Sequence, residues 1–241
     1  MSSVPPEKFT DYIRQQRELY PEDFYIPKPR SGQPVPVQAG ASEAGTAEDR
    51  AVPRYAPPAS GDLEAYHRQI CDCLRCPLGE TRTRFVFGVG DPDADLMFVG
   101  EAPGYQEDQQ GEPFVGQAGQ LLDKILAAID LTRGQVYIAN VLKCRPPKNR
   151  DPRPEEIEAC EPYLQAQIGM VQPKALIALG RVAGNTLLKT SRSLRELRGR
   201  TWNYQDRDLI VTYHPAALLR NQELKRPTWE DFQKIQARYL S

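Results

Sequence analysis

The stretch that most constrains this chain runs from residue 96 to residue 129. Residues 96 to 99 are an apolar run that reads as a buried strand, and residues 100 to 119, GEAPGYQEDQQGEPFVGQAG, read as a loop. Residues 121 to 129, apolar at 121, 122, 125, 126 and 129, predict a helix. A strand that breaks into a glycine-rich loop and then feeds a helix is where open α/β sheets hold their ligands. Glu101, Glu107, Asp108 and Glu112 lie with the aromatic Phe114 in this loop, a mixture suited to a flat polar ligand.

The same alternation of strand and helix continues along the chain. Leu63–Ile70 predicts a helix; residues 84 to 88 and 95 to 99 predict strands separated by a Gly-Asp-Pro turn at 90 to 92. Residues 136 to 142 are a β-branched strand that ends in Lys143-Cys144-Arg145-Pro146-Pro147. Pro154 opens a helix with Glu155 and Glu156 in its first turn, favourable against the helix dipole, and this helix runs through Cys160 towards Met170. Strand 174 to 179 and helix 182 to 188 follow. A turn at Leu194–Leu197 and a hairpin of 202 to 204 with 209 to 213 come next, the last strand delivering His214-Pro215. Residues 228 to 240 predict a closing helix capped by Thr228. The pattern predicts a three-layer α/β/α domain around a mostly parallel sheet over residues 61 to 241, without internal repeats.

Residues 1 to 60 read differently. Ten of the 22 prolines lie there, and from 31 to 60 apolar periodicity gives way to Gly, Pro, Ala, Ser and Glu, so this part is expected to be a largely disordered extension. Such an extension is a candidate attachment point for a partner protein. The net charge is −1, and residues 61 to 241 carry 24 basic and 24 acidic side chains, so bulk charge does not by itself indicate a polyanionic partner. Local basic groups, among them Arg145, Lys148, Arg150 and Arg153, read on their own as solvated faces. No apolar run has the length of a membrane span and no secretion signal opens the chain, so a soluble, cytoplasmic monomer is expected.

Cys73 and Cys76 form a C-x-x-C pair, while Cys144 and Cys160 are single cysteines on either side of a proline-rich loop. A pair at that spacing holds one metal centre in a tight turn, and two further thiolates complete four-coordination, which admits zinc or an iron–sulfur cubane. The wide split of the second pair points towards [4Fe–4S]. Cys71 is read as a non-ligand, since C-x-x-C is the better chelate.

Taken together, GEAPG at 100 to 104, EPFVGQAGQLLDKIL at 112 to 126, NVLKCRPP at 140 to 147, the following Cys160 and HPAALLR at 214 to 220 resemble the iron–sulfur uracil-DNA glycosylases, the family-four branch of that superfamily. The likeness covers residues 73 to 239 in order and spacing. It implies the uracil-glycosylase α/β/α fold, a [4Fe–4S] cluster on Cys73, Cys76, Cys144 and Cys160, and excision of uracil from single- or double-stranded DNA in base-excision repair, with a repair or replication protein as the candidate partner of the extension at residues 1 to 60.

The resemblance also implies roles that the chemistry makes intelligible. Phe114 matches the stacking platform for a planar base. Asn140 matches the reader of the uracil edge, since an amide offers the donor for O4 and the acceptor for N3–H that uracil requires, and cytosine presents the reverse. Glu107 matches the position that fills the space of a thymine methyl. His214 matches the donor to the O2 oxygen, where charge gathers as the base leaves. Ala102 stands where the best-known uracil glycosylases carry an aspartate for the attacking water, so Glu101 and Asn149 become the candidates for that task. No lysine in these motifs is an evident Schiff-base nucleophile, which predicts a monofunctional hydrolase. Leu218 and Leu219 are candidates for a wedge, and Arg145, Lys148, Arg150 and Arg220 for phosphate contacts. The alternatives are a relative that traps uracil-DNA covalently through a histidine, which the loop at 146 to 150 lacks, and a non-catalytic, metal-stabilised DNA-binding module.

Overall fold

A computed structural model describes residues 62 to 240, so the expectations for residues 1 to 60 lie outside the described part. Six strands form one sheet: β1 (Val89–Gly90), β2 (Leu96–Gly100), β3 (Tyr137–Asn140), β4 (Ala175–Leu179), β5 (Thr201–Tyr204) and β6 (Arg207–Thr212). Their order is β1-β3-β2-β4-β6-β5, with β3, β2, β4 and β6 parallel and the two edge strands antiparallel. The helices are α1 (Leu63–Ile70), α2 (Leu78–Thr81), α3 (Tyr105–Gln110), α4 (Gln117–Ala128), α5 (Pro154–Val171), α6 (Arg181–Leu188), α7 (Leu194–Leu197), α8 (Pro215–Arg220) and α9 (Lys225–Tyr239).

Strands β2 and β4 are buried along their whole length, which is why they read as unbroken apolar runs rather than alternating ones. Successive side chains point to opposite faces. Met97, Val99, Tyr137, Ala139, Leu176, Ala178, Leu209 and Val211 share one core with Tyr66 and Ile70 of α1, Leu164 and Ile168 of α5, and Ala183 and Leu187 of α6. On the other face Phe98 stacks on Phe232 of α9 at 6.1 Å. The sheet therefore lies between two helical layers, as its sequence pattern predicts.

Four details depart from the sequence reading. Residues 84 to 88 form no ladder of their own; Val86 N–H donates instead to the Lys143 carbonyl, and β1 is confined to Val89–Gly90. The loop after β2 contains the six-residue helix α3, whose polar sequence YQEDQQ carries no apolar period. Helix α4 begins at Gln117, four residues earlier than its apolar stripe, with Gly116 as its N-cap. Thr228 lies inside α9 rather than at its cap: its hydroxyl donates back to the Leu224 carbonyl while the helix starts at Lys225.

The parallel strands all end on one edge of the sheet. There Gly100 pairs in register with Asn140, Leu179 with Thr212, and His214 follows two residues after β6.

Candidate active site

The strand ends bring three side chains into one neighbourhood, and a glycine makes the approach possible. A Cβ on Gly100 would overlap the Asn140 Oδ1 atom and stand 2.6 Å from Phe114 Cζ, so only glycine at the end of β2 lets the amide and the ring sit together. Phe114 in turn stacks on His214, with ring centroids 5.4 Å apart at 28°. Asn140 is buried, and its Oδ1 atom has no hydrogen-bond partner. An acceptor left unpaired in the interior costs about 1–3 kcal/mol, an arrangement expected where a ligand supplies the missing donor.

Phe114 is held in a conformation it would not choose. Its φ of 55° is left-handed, which costs a non-glycine residue about 1–2 kcal/mol. Three features impose it. Gly119 has no side chain, and any Cβ there would collide with the Phe114 carbonyl. Arg133 donates through Nη1 to that carbonyl at 2.9 Å and through Nη2 to the Pro113 carbonyl at 2.6 Å, while Nη1 also meets Asp123 at 3.0 Å. Glu107 completes the frame: Oε1 accepts from Val115 and Gly116 N–H, both at 2.9 Å, and Oε2 accepts from Gly104 N–H at 3.1 Å. One carboxylate thus ties the start of α3 to the segment following the aromatic ring.

His214 is the N-cap of α8. Its Nδ1 accepts from Ala216 N–H at 3.1 Å, which puts the ring proton of the neutral imidazole on Nε2. Burial, assisted by Arg220 and opposed by Glu107, pushes the histidine down to about 4. Near neutrality the ring is uncharged, and Nε2–H is a donor without a net charge. Because the folded value lies below the ordinary one of about 6.5, the unfolded chain binds the extra proton between the two values, so stability falls as pH drops through that window.

Glu101, partly buried at the end of β2, has its carboxyl raised by burial and by Asp151, with Arg181 opposing. Ala102 packs against the core beside it. Asn149 is exposed, in a one-turn 3-10 segment, Pro147–Asn149, and its Oδ1 accepts from Arg145 Nε at 2.7 Å. Two readings of the surface change. Arg150 is engaged by the buried Glu156 through bonds of 2.9 and 2.5 Å, so it is not a free phosphate ligand. Leu218 is fully buried and cannot serve as a wedge, whereas Leu219 keeps some exposure.

The four sequence-selected thiols gather beside this site. Burial raises Cys76, pushes Cys144 up to about 11 and Cys160 up to about 12, and the charges of Cys73, Cys76 and Cys144 act among the same group, so the four are electrostatic neighbours. Donors point at their sulfurs: Lys143 N–H to Cys160 at 3.2 Å, Tyr163 O–H to Cys73 at 3.0 Å, Arg75 N–H to Cys73 at 3.4 Å and Arg82 Nη1 to Cys144 at 3.6 Å. Such donors are what thiolates bound to metal require around them. Among the described residues no three Cys, His, Asp or Glu side chains form a group for a single metal ion. Cys71 stands aside, its Sγ donating to the Arg68 carbonyl at 3.5 Å.

Lys143 joins the two regions. Its side chain is fully buried, Nζ donates to the Asn140 carbonyl at 2.8 Å and to Gln167 Oε1 at 2.5 Å, and burial lowers it to about 8 against the opposing pull of Cys160 and Cys144. Sequence reasoning passed over Lys143, Arg133, Arg82 and Tyr163. Only Lys143 carried a local signal, being inside the NVLKCRPP stretch; Arg133 acts on carbonyls 19 and 20 residues away.

An aromatic ring, an unpaired buried acceptor and a neutral N–H donor close together suit a planar heterocycle with both donor and acceptor edges. A groove of about 1010 Å³ between α5 and α6 contains none of these residues. Among the described residues no helix is long and apolar enough to cross a membrane.

Comparison with known proteins decides the family. Residues 87–233 match the model of the uracil DNA glycosylase superfamily. The type-4 uracil-DNA glycosylase of Sulfurisphaera tokodaii is 46% identical over 182 residues, covering 72% of this chain and 83% of the relative. The chain is a type-4 member of the uracil-DNA glycosylase superfamily. Type-4 enzymes of Archaeoglobus fulgidus and Thermotoga maritima are 44% and 41% identical, across 91% and 93% of their own lengths. A type-5 uracil-DNA glycosylase of Thermus thermophilus is more distant, at 31% over 53% of this chain. The superfamily match begins at Phe87, so Cys144 and Cys160 lie within it and Cys73 and Cys76 precede it.

Proposed function

We propose that the protein hydrolyses the N-glycosidic bond of deoxyuridine in DNA, leaving an abasic site as the first step of base-excision repair. The observation that carries this reading is the buried Asn140 Oδ1 without a partner, beside the Phe114 ring that in turn stacks on His214. Extruded uracil lies on Phe114. Asn140 Oδ1 accepts from uracil N3–H and its Nδ2 donates to O4, a pattern cytosine cannot meet. Glu107, immobilised by three amides, stands at the C5 edge and excludes a methyl group. As the bond to the sugar lengthens, His214 Nε2–H stabilises the charge on O2, a contribution worth about 10²–10³ in rate for donors of this kind. Glu101 orients the water. Asn149, bonded to Arg145, supports the loop beside it.

Cys73, Cys76, Cys144 and Cys160 are the proposed holders of a [4Fe–4S] cluster, and the N–H and O–H donors around their sulfurs fit that donor set. When bound, it supplies a structural cross-link between α5, the C-x-x-C turn and the loop after β3. The purified protein is expected to be brown with broad visible absorption that is lost in Cys144→Ala; a colourless protein carrying one zinc would refute the cluster.

The activity test is release of uracil from single- and double-stranded oligonucleotides. Formation of abasic product that drops on the order of 10²-fold in His214→Ala supports the assignment; no product from either substrate rejects it. The pH profile separates the two titrating groups. The neutral form of His214 is the donor, so no histidine step appears between about pH 5 and 8. Glu101 must be ionised, so activity falls as pH drops through a value above the ordinary carboxylate range, and Glu101→Gln is expected to remove that limb. Arg133→Gln, which frees the Phe114 backbone, is expected to weaken inhibition by free uracil on the order of tenfold.

A further inference from the structure

One exposed feature at the mouth of the site has no part in reading uracil. Tyr105 opens α3, directly after the GEAPG segment, and is 55% exposed. Arg145 lies over it, with the guanidinium carbon 5.0 Å from the ring centroid. The two come from different loops: Tyr105 from the one after β2, which carries Glu101, and Arg145 from the one after β3, the strand that ends in Asn140. Arg145 is pre-set from below, because its Nε is bonded to Asn149 within a turn in which Lys148 and Asn149 both adopt left-handed φ of 56° and 53°. Nearby Arg150 is tied to Glu156, so of these two arginines Arg145 is the one presented beside an aromatic surface.

An exposed ring backed by a guanidinium is the combination that binds single-stranded nucleic acid: the π-face stacks on a base of any identity, and the cation meets the phosphate. Extrusion of one nucleotide leaves the faces of its neighbours uncovered, which creates a demand for such a platform. We propose that Tyr105 and Arg145 form a subsite for the nucleotide flanking the extruded deoxyuridine, the ring stacking on the neighbouring base and Arg145 holding the intervening phosphate. This subsite rests on the glycosylase reading given above.

The test uses the full-length protein and a single-stranded oligonucleotide carrying 2′-fluoro-deoxyuridine, which resists hydrolysis, with binding followed by fluorescence anisotropy. Tyr105→Ala is expected to weaken binding about tenfold, the worth of one base–aromatic stack, and Tyr105→Trp to restore it. Arg145→Gln is expected to reduce the slope of log affinity against log salt by about one phosphate. Affinity for free uracil and the melting temperature stay at parent values in Tyr105→Ala. Equal oligonucleotide affinity in parent and Tyr105→Ala overturns the subsite, as does a parallel loss of free-uracil affinity, which would make Tyr105 a support of the pocket. Failure of the parent to release uracil from a hydrolysable oligonucleotide would count against the glycosylase reading instead, and the binding comparison would still decide the subsite.

Discussion

Asn140→Ala is expected to lower kcat/KM for uracil excision on the order of 10³-fold while leaving the melting temperature within about 3 °C of the parent. The two halves of that result have one cause. In the complex proposed above the amide meets N3–H and O4 of the base, and its removal would strand both in a dry pocket at about 1–3 kcal/mol each, which together correspond to roughly three orders of magnitude. In the free protein the same amide is a burden, because Oδ1 is buried without a partner. Truncation removes that penalty and offsets the packing it loses. Calorimetry beside steady-state kinetics checks this. Parallel collapse of stability and activity would mean that Asn140 is a structural residue.

Arg198→Ala is expected to destabilise the fold by about 3–5 kcal/mol, a fall of about 10 °C in melting temperature. Arg198 and Asp231 have side chains only 15% and 6% exposed, and Asp231 Oδ2 accepts from Arg198 Nε at 3.0 Å, Arg198 Nη2 at 2.7 Å and Thr212 Oγ1 at 2.6 Å. Without the guanidinium a buried carboxylate loses its counter-charge, and this loss, rather than the absent contact, dominates the cost. Arg198→Ala with Asp231→Asn is therefore expected to be more stable than Arg198→Ala alone, which thermal melting of the two variants tests. The effect reaches function because Thr212 ends β6 and Arg198 also lies 4.1 Å from the Tyr213 ring centroid, immediately before His214.

What the sequence made legible depended on the range over which each signal acts. The apolar run at 96 to 99 and the stripe at 121 to 126 report burial directly, so β2 and the body of α4 were readable from side-chain spacing alone. Helix α3 was not, because it is built on a glycine N-cap and on Glu107 reaching back to Gly104, with no apolar face to betray it. The roles proposed for Phe114, Asn140 and His214 rest on family resemblance; the approach of Phe114 to Asn140 depends on Gly100, whose importance is invisible until β2 and β3 are laid in register. Arg133 could not be found by any local rule, since its targets are backbone carbonyls whose position is a product of the finished fold. Charge clustering misled for a related reason. Arg150 looks free in a basic stretch, yet Glu156, six residues away across a helix start, claims it.

Lys143 sets a limit on redesign. Its amide donates to the Cys160 sulfur and its ammonium to the Asn140 carbonyl, so one residue measures the spacing between the thiol nest and the proposed base reader. If the four cysteines hold the proposed cluster, a version with apolar residues in their place would have to reproduce that spacing to within the tolerance of a hydrogen bond. Otherwise oxygen resistance would be gained at the expense of discrimination between uracil and cytosine.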